Sequence, residues 1–402
     1  MSGEEIVMDI FSESLAFHRK LKGKLDIRSK SHIESRHDLS LLYTPGVAES
    51  CRAIHRDPEQ ARELTIKSDT VAVITDGSAV LGLGNIGPLA ALPVMEGKCV
   101  LFKEYAGLNA FPICLNTQNT VEIINAVRNL APVFAGINLE DISAPRCFEI
   151  EAGLQDIGIP VFHDDQHGTA IVLLAGLLNA ARLAGKSLSE LRVVINGSGA
   201  AGTAIAELLL GVGHDPAVSQ PVKEVLMCDT KGIISRNRTD IESNPAKIRL
   251  SRITNRHGKD GQLDDAIEGA DVFIGVSVEG ALSPAMVRKM NPDPIIFALA
   301  NPVPEILPEE AYAAGALVVG TGRSDFANQI NNVLAFPGVF RGAIDVRAPR
   351  ITASMKFAAA RALAEHVGTP DREHIIPSVL DKTAGDAVAQ AVGQAYDPDS
   401  PA

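Results

Sequence analysis

The sequence contains no tryptophan and only four tyrosines. With so few, a tyrosine inside a motif stands out from the background of half-buried rings. Cysteine is also scarce. Cys51, Cys99, Cys114, Cys147 and Cys228 are scattered and form no C-x-x-C, which argues against structural zinc or a disulfide framework and fits reduced cytosolic thiols. Positive charge is outweighed: 37 Lys and Arg face 49 Asp and Glu, a net charge of -12. The expected partners therefore exclude nucleic acid and an anionic membrane, while a small anionic substrate held by local cations stays open. The opening residues, MSGEEIVMDI, are acidic and lack a basic segment followed by an apolar one, so no export signal is expected and the location expected is cytoplasmic. The longest apolar run, residues 169–185, is broken by Asn179 and Arg182 and reads as a buried helix, not a membrane span. No fixed-period repeat and no low-complexity linker interrupts the chain.

What is present is alternation. A length of 402 residues favours more than one domain. Val- and Ile-rich runs alternate with helical spacing, the signature of an α/β fold. Strands are expected in 69–84, 99–106, 111–117, 133–142 and 159–163, with helices over 120–131 and 146–158. The pattern restarts at 192 with strand, glycine turn and helix. Further apolar strands follow at 224–229, 270–277, 294–302 and 316–322, and an Ala-rich helix at 352–367. Two domains are expected: an α/β catalytic domain over 1–164, completed by C-terminal helices in 332–402, and a Rossmann-like doubly wound domain over 165–331.

The pattern G-x-G-x-x-G occurs twice. Gly197, Gly199 and Gly202 in GSGAAG directly follow the strand RVVIN and open a helix, the arrangement that points backbone N–H groups at a pyrophosphate. Ser198, Ala200 and Ala201 complete that turn. A later strand ends at Asp229, placed to bond a ribose hydroxyl. The other match, Gly82, Gly84 and Gly87, is followed by Pro88 and Pro93, so a long helix is not expected there. Its glycines serve close packing, a nucleotide, or a turn whose amides face an anionic substrate.

The stretch HDDQHG invites a zinc reading, because His163 and His167 are four residues apart with an acid between. Context argues against it: Pro160 and a strand-like PVF precede His163, and a helix is expected only from Gly168. Glu140 and Asp141 at one strand end, with Asp164 and Asp165 at another, form a cluster that would repel itself without a cation. All-oxygen ligands suit Mg²⁺ or Mn²⁺.

At this point YTPGVA (43–48), TDGSAVLGLGNIGP (75–88), EGKCVLFK (96–103), NLEDI (138–142), FHDDQHGTA (162–170), NGSGAAG (196–202), ALANP (298–302) and QINNVLAFPGVFRGA (329–343) fall in the order seen in malic enzymes. The chain resembles the short bacterial and archaeal form of this oxaloacetate-decarboxylating malate dehydrogenase family over roughly residues 40–345. The resemblance implies oxidative decarboxylation of L-malate to pyruvate and CO₂ with NAD(P)⁺ and Mn²⁺ or Mg²⁺. It implies Tyr43 and Lys98 as catalytic groups, and Glu140, Asp141 and Asp165 as metal ligands. Asp164 would lie behind them, and Asn301 and Asn332 would hold the malate carboxylate. It further implies a dinucleotide site at Gly197–Gly202 and Asp229. Asp229 argues for NAD, while Lys231 two residues on could pair with the 2′-phosphate of NADP. On this reading Lys98, its pKa lowered by burial near the metal, takes the hydroxyl proton, and Tyr43 beside it protonates C3. The segment around Gly168 becomes a hinge that hands Asp165 to the metal.

One departure stands out. Larger relatives carry a substrate-gripping arginine where this chain has Ala79. Two rival readings accompany the main one: a malolactic-type enzyme yielding lactate, and a nucleotide-sensing protein without catalysis. The stripe Ile6, Ile10, Leu15 and Phe17 lacks a partner within the chain, which predicts a homodimer.

Overall fold

The computed structural model describes residues 9–213 and 220–398. Ile6 of the predicted stripe and the extreme C-terminus lie outside them.

The first unit begins with four short helices, α1 (Ile10–Leu21), α2 (Arg36–Leu42), α3 (Val47–Arg56) and α4 (Ala61–Leu64). Asp9 caps α1 through its side chain, and Ser35 with Asp38 forms a capping box on α2. None of the four buries a single residue. Phe11 is 82% exposed and Phe17 55%.

Beyond this arm, strands β1 (Thr70–Thr75), β2 (Asn109–Cys114), β3 (Gly136–Leu139) and β4 (Val161–His163) form a parallel sheet in the order β2-β1-β3-β4. Helices α5 (Gly87–Ala106), α6 (Thr120–Leu130) and α7 (Arg146–Ala152) connect them. The strand expected over 99–106 does not exist, and the long helix not expected after Pro88 does. Both positions belong to α5, which takes Pro88 in its first turn and carries Pro93 inside. CVLF has strand composition. The longer-range spacing decides instead: Ala91, Met95, Cys99 and Phe102 fall on one buried helical stripe. Helix α7 stops at Ala152, earlier than the expected 158.

Helix α8 (Asp164–Leu183) follows β4 without a loop. It starts at Asp164 rather than after Gly168. Most of its body is buried, with Ile171, Leu173, Leu174 and Leu177 inaccessible or nearly so. The expected hinge is therefore a continuous helix.

The second sheet contains β5 (Arg192–Asn196), β6 (Glu224–Asp229), β7 (Gly232–Ile233), β8 (Val272–Gly275), β9 (Ile295–Ala298) and β10 (Val318–Thr321) in the order β10-β9-β8-β5-β6-β7. All neighbours are parallel except β6 and β7. The order reverses between β5 and β8, the place where doubly wound sheets bind ligands. Helices α9 (Ala200–Leu209), α10 (Pro245–Ile253), α11 (Leu263–Ile267), α12 (Pro284–Val287) and α13 (Pro308–Ala313) connect these strands. Last come α14 (Phe336–Asp345), α15 (Ala353–His366) and α16 (Thr383–Gln394). Helix α14 returns to the first sheet: Phe336 and Phe340 stack edge-on against Phe102 of α5 at 4.8 and 5.3 Å, and Phe340 meets Phe162 of β4 at 5.8 Å. No helix among the described residues is long and apolar enough to cross a membrane.

Candidate active site

The carboxyl ends of β3 and β4 deliver the acids. Glu140 and Asp141 leave β3 in a tight turn, and Asp141 takes a left-handed backbone conformation (φ 54°) that aspartate tolerates better than most residues. Its N–H donates to Asp165 Oδ2 at 2.8 Å, tying the two strand ends together. Carboxylate oxygens of Glu140, Asp141 and Asp165 lie within 4.8 Å of one another.

Charge bookkeeping within this cluster is incomplete. Burial pushes Glu140 well above the usual carboxylate range, with Lys98 opposing and the neighbouring acids adding to it. Burial and Asp165 push Asp141 up to about 7. Asp165 goes the other way, because His163, its Nε2 3.2 Å from the carboxylate, overcomes its burial. Asp141 Oδ2 is buried with no hydrogen-bond partner. An orphaned carboxylate oxygen among three hard oxygen donors fits a divalent cation such as Mg²⁺ or Mn²⁺.

Lys98 projects from α5 into the same space. Its ammonium lies 2.5 Å from Asp164 Oδ2 and 2.9 Å from Glu140 Oε1, and it stands over the Phe336 ring at 4.1 Å. Burial works to lower its pKa, but Asp164 and Glu140 override this and hold it above the ordinary lysine value. The expected lowering is thus absent with these acids as its only company. Asp164, fully buried, is raised by burial against the pull of Lys98. It accepts a 2.6 Å bond from Asn332 Nδ2, so Asn332 is linked to the lysine through this acid. Gly168 is required by this arrangement: a Cβ there would sit 1.8 Å from Asp164 Oδ1.

The two histidines hold acids rather than a metal of their own. His163 Nε2 lies 3.2 Å from Asp165, and His167 Nε2 bonds Glu151 at 2.9 Å. Glu151 also accepts from the His163 amide and Gln166. Burial alone would raise the Glu151 pKa, but His167 dominates and it falls to about 2. His167 itself is lowered by burial, with the Glu151 charge opposing.

Tyr43 is not brought to Lys98. It is 68% exposed at the end of α2, and no hydrogen bond joins it to the lysine among the described residues. Asn301 lies on the loop after β9, its amide packed over Gly322, while its carbonyl faces Gly82 of the first glycine turn. That approach sets the turn 82–87 opposite the Asn301 loop. Ala79 leaves no cation in its own segment, but Arg323 reaches this loop, donating to the Pro302 carbonyl at 3.2 Å while pairing with Asp325.

At the dinucleotide turn, close approach explains the glycines. A Cβ on Gly202 would lie 1.9 Å from the Gly197 carbonyl. Gly199 caps α9, whose first turn begins at Ala200 and Ala201, with Ser198 in the turn itself. Asp229 ends β6, but its carboxylate is already engaged by Arg238 at 2.8 and 3.0 Å, Lys247 at 2.6 Å and the Lys231 amide at 2.9 Å. The Lys231 ammonium pairs with Asp240 at 3.2 Å. Sequence reasoning missed Arg238 and Lys247 because nothing in their spacing points to Asp229. Arg146 was missed for the same reason. It comes from α7 to bond the buried Asp76 at 2.8 Å and Ser78 at 3.0 Å.

Two family models match the chain: the N-terminal domain of malic enzyme over residues 22–123 and its NAD-binding domain over 166–396. A bifunctional malic/malolactic enzyme of Bacillus subtilis is 55% identical, covering 96% of this chain and 93% of its own length. An NAD-dependent malic enzyme of Geobacillus stearothermophilus is 52% identical over 97% of this chain and 79% of its own. Among solved structures, an NAD-dependent malic enzyme of Thermotoga maritima superimposes with a TM-score of 0.90 at 49% identity, covering 94% of this chain and 98% of that one. By sequence and by fold, the chain belongs to the malic enzyme family.

Proposed function

We propose that this chain oxidatively decarboxylates L-malate to pyruvate and CO₂ with reduction of NAD(P)⁺. The observation that carries the reading is the pairing of Lys98 with Asp164 and Glu140 beside the orphaned Asp141 oxygen. A lysine base adjoins a hard-oxygen cation site there, at the carboxyl edge of a sheet.

In this mechanism Asn301 and Asn332 orient the malate carboxylate, with Arg323 supplying the cation absent at Ala79. Lys98 accepts the C2 hydroxyl proton as hydride leaves C2 for the nicotinamide. A divalent cation held by Glu140, Asp141 and Asp165 would supply Lewis-acid polarisation of the substrate and would weaken the ion pairs that keep Lys98 protonated. Loss of CO₂ leaves an enolate that Tyr43 protonates at C3.

Cofactor preference follows from the surroundings of Asp229. Arg238 and Lys247 neutralise the carboxylate on which discrimination against a 2′-phosphate would depend. Asp229 keeps NAD⁺ the expected cofactor, and its neutralisation by Arg238 and Lys247 leaves NADP⁺ also accepted. The division at 164/165, with residues 332–402 completing the first unit, and a cytoplasmic location belong to the same reading.

The exposed arm supports a homodimer. Helices α1–α4 bury nothing within the chain, and Tyr43 stands away from Lys98 of its own subunit. In a two-fold dimer the arm covers the partner and Tyr43 completes the partner's site.

The test is an assay with L-malate, Mn²⁺ and NAD⁺ or NADP⁺, following reduced cofactor, pyruvate and lactate. Reduced cofactor with pyruvate is expected. Lactate without net reduction would establish the malolactic alternative, to which the Bacillus subtilis relative's name lends weight. No turnover with either cofactor would sink both.

A further inference from the structure

Glu305 lies outside the acid cluster and outside the glycine turn, yet its side chain is completely buried. A carboxylate at zero exposure needs donors for both oxygens. It has them. Oε1 accepts from the Ser277 amide at 2.9 Å and the Ser277 hydroxyl at 3.2 Å, and Oε2 accepts from the Ala300 amide at 3.0 Å. The Ser277 hydroxyl in turn accepts from Asn196 Nδ2 at 2.8 Å. One chain of hydrogen bonds thus crosses the carboxyl ends of β5, β8 and β9. It begins at Asn196, one residue before the dinucleotide turn. It ends at Ala300, one residue before Asn301.

The backbone makes room for this link. Gly275 closes β8, and a Cβ there would lie 2.3 Å from the Glu305 carboxyl carbon. The Glu305 carbonyl accepts from Leu282, and the Pro304 carbonyl from Gly280, so the residue's own backbone is pinned as well.

We infer that Glu305 is a positioning residue that fixes the Asn301 loop relative to the dinucleotide turn, and so sets the distance between C2 of a bound hydroxy acid and the nicotinamide. The inference rests on the dehydrogenase reading above. A glutamine cannot substitute. It offers one acceptor oxygen and turns an NH₂ towards either the Ser277 or the Ala300 amide, breaking the link at one end.

The experiment compares wild type with Glu305→Gln by initial rates with L-malate, Mn²⁺ and NAD⁺, by rates with malate deuterated at C2, and by NADH fluorescence titration. Misplaced reactants should lower kcat by about tenfold or more while the NADH Kd stays within about threefold. The deuterium effect on kcat/KM should rise, because hydride transfer becomes more rate-limiting. A purely structural role would lower the unfolding midpoint without moving the isotope effect. A folded variant with wild-type kcat and isotope effect overturns the inference. If Glu305→Gln does not fold, Ser277→Ala decides. It keeps the backbone amide and removes only the bridging hydroxyl, so kcat should fall about threefold with a raised isotope effect, and unchanged values overturn the inference. An inactive wild type overturns the malate reading and this inference together; an active wild type with unchanged variants overturns this inference alone.

Discussion

Two inactive variants should restore each other. Lys98→Ala removes the base and Tyr43→Phe the C3 proton donor, each lowering turnover by about 10² to 10⁴. Tyr43 is 68% exposed on an arm that buries nothing in its own chain, while Lys98 is almost wholly enclosed. If Tyr43 serves the partner's site, a dimer of one Lys98→Ala chain and one Tyr43→Phe chain contains one intact site and one doubly damaged site. Each mixed dimer has one of its two sites intact, so purified mixed dimer should return about half of wild-type activity. That lies at least ~50-fold above either parent, taking the smaller of those losses. Co-expression with two affinity tags, sequential purification of the mixed dimer and an initial-rate assay measure it. Purified mixed dimer no more active than its parents would refute the reasoning, because it would return Tyr43 to its own subunit. A monomeric protein by light scattering would do so more directly.

Four other outcomes are expected. Asp165→Ala should weaken Mn²⁺ binding by about tenfold or more, read by titration of the free ion by EPR, and unchanged affinity contradicts the ligand assignment. Gly168→Ala forces a Cβ against Asp164 and should cost about 1–3 kcal/mol in urea unfolding along with activity; a neutral result would mean the first turn of α8 relaxes freely. Glu151 has a folded pKa near 2, below its ordinary 4.5, so its contribution is present above pH 4.5 and lost as pH falls towards 2. At most about 3 kcal/mol is involved. Glu151→Gln should flatten the pH dependence of stability in that window, and an unaltered profile argues against the assignment. Arg323→Ala should raise the malate KM by about tenfold with the NAD⁺ KM nearly fixed, whereas an unchanged malate KM removes Arg323 from the carboxylate site.

The parts legible in the sequence are those where chemistry is local. RVVINGSGAAG encodes strand, turn and helix within eleven residues, and the close packing of Gly202 on Gly197 leaves a sharp pattern. The acids at 140, 141 and 165 sit at strand ends that hydrophobic runs announce. Long-range pairing left no such mark. Glu305 reaches back 28 residues to Ser277, and Asn332 reaches 168 residues to Asp164. The start of α8 was misread because Gly168 suggests a break. Its small size instead lets the Asp164 carboxylate fold over the turn. CVLF was misread because four apolar residues fit a strand as well as one turn of a buried helix, and only Ala91 and Met95 beyond them decide.

Helix α8 has a consequence for how this protein can be taken apart. Its first turn holds the site acids Asp164 and Asp165, while its later turns lie against α9 and α15. There is no linker to cut at this point. A break before Asp164 would leave one fragment without two of its acids and the other with an uncapped helix end carrying both. Neither half is therefore a free-standing module, and grafting this nucleotide-binding unit onto another catalytic domain would have to carry the acid pair with it.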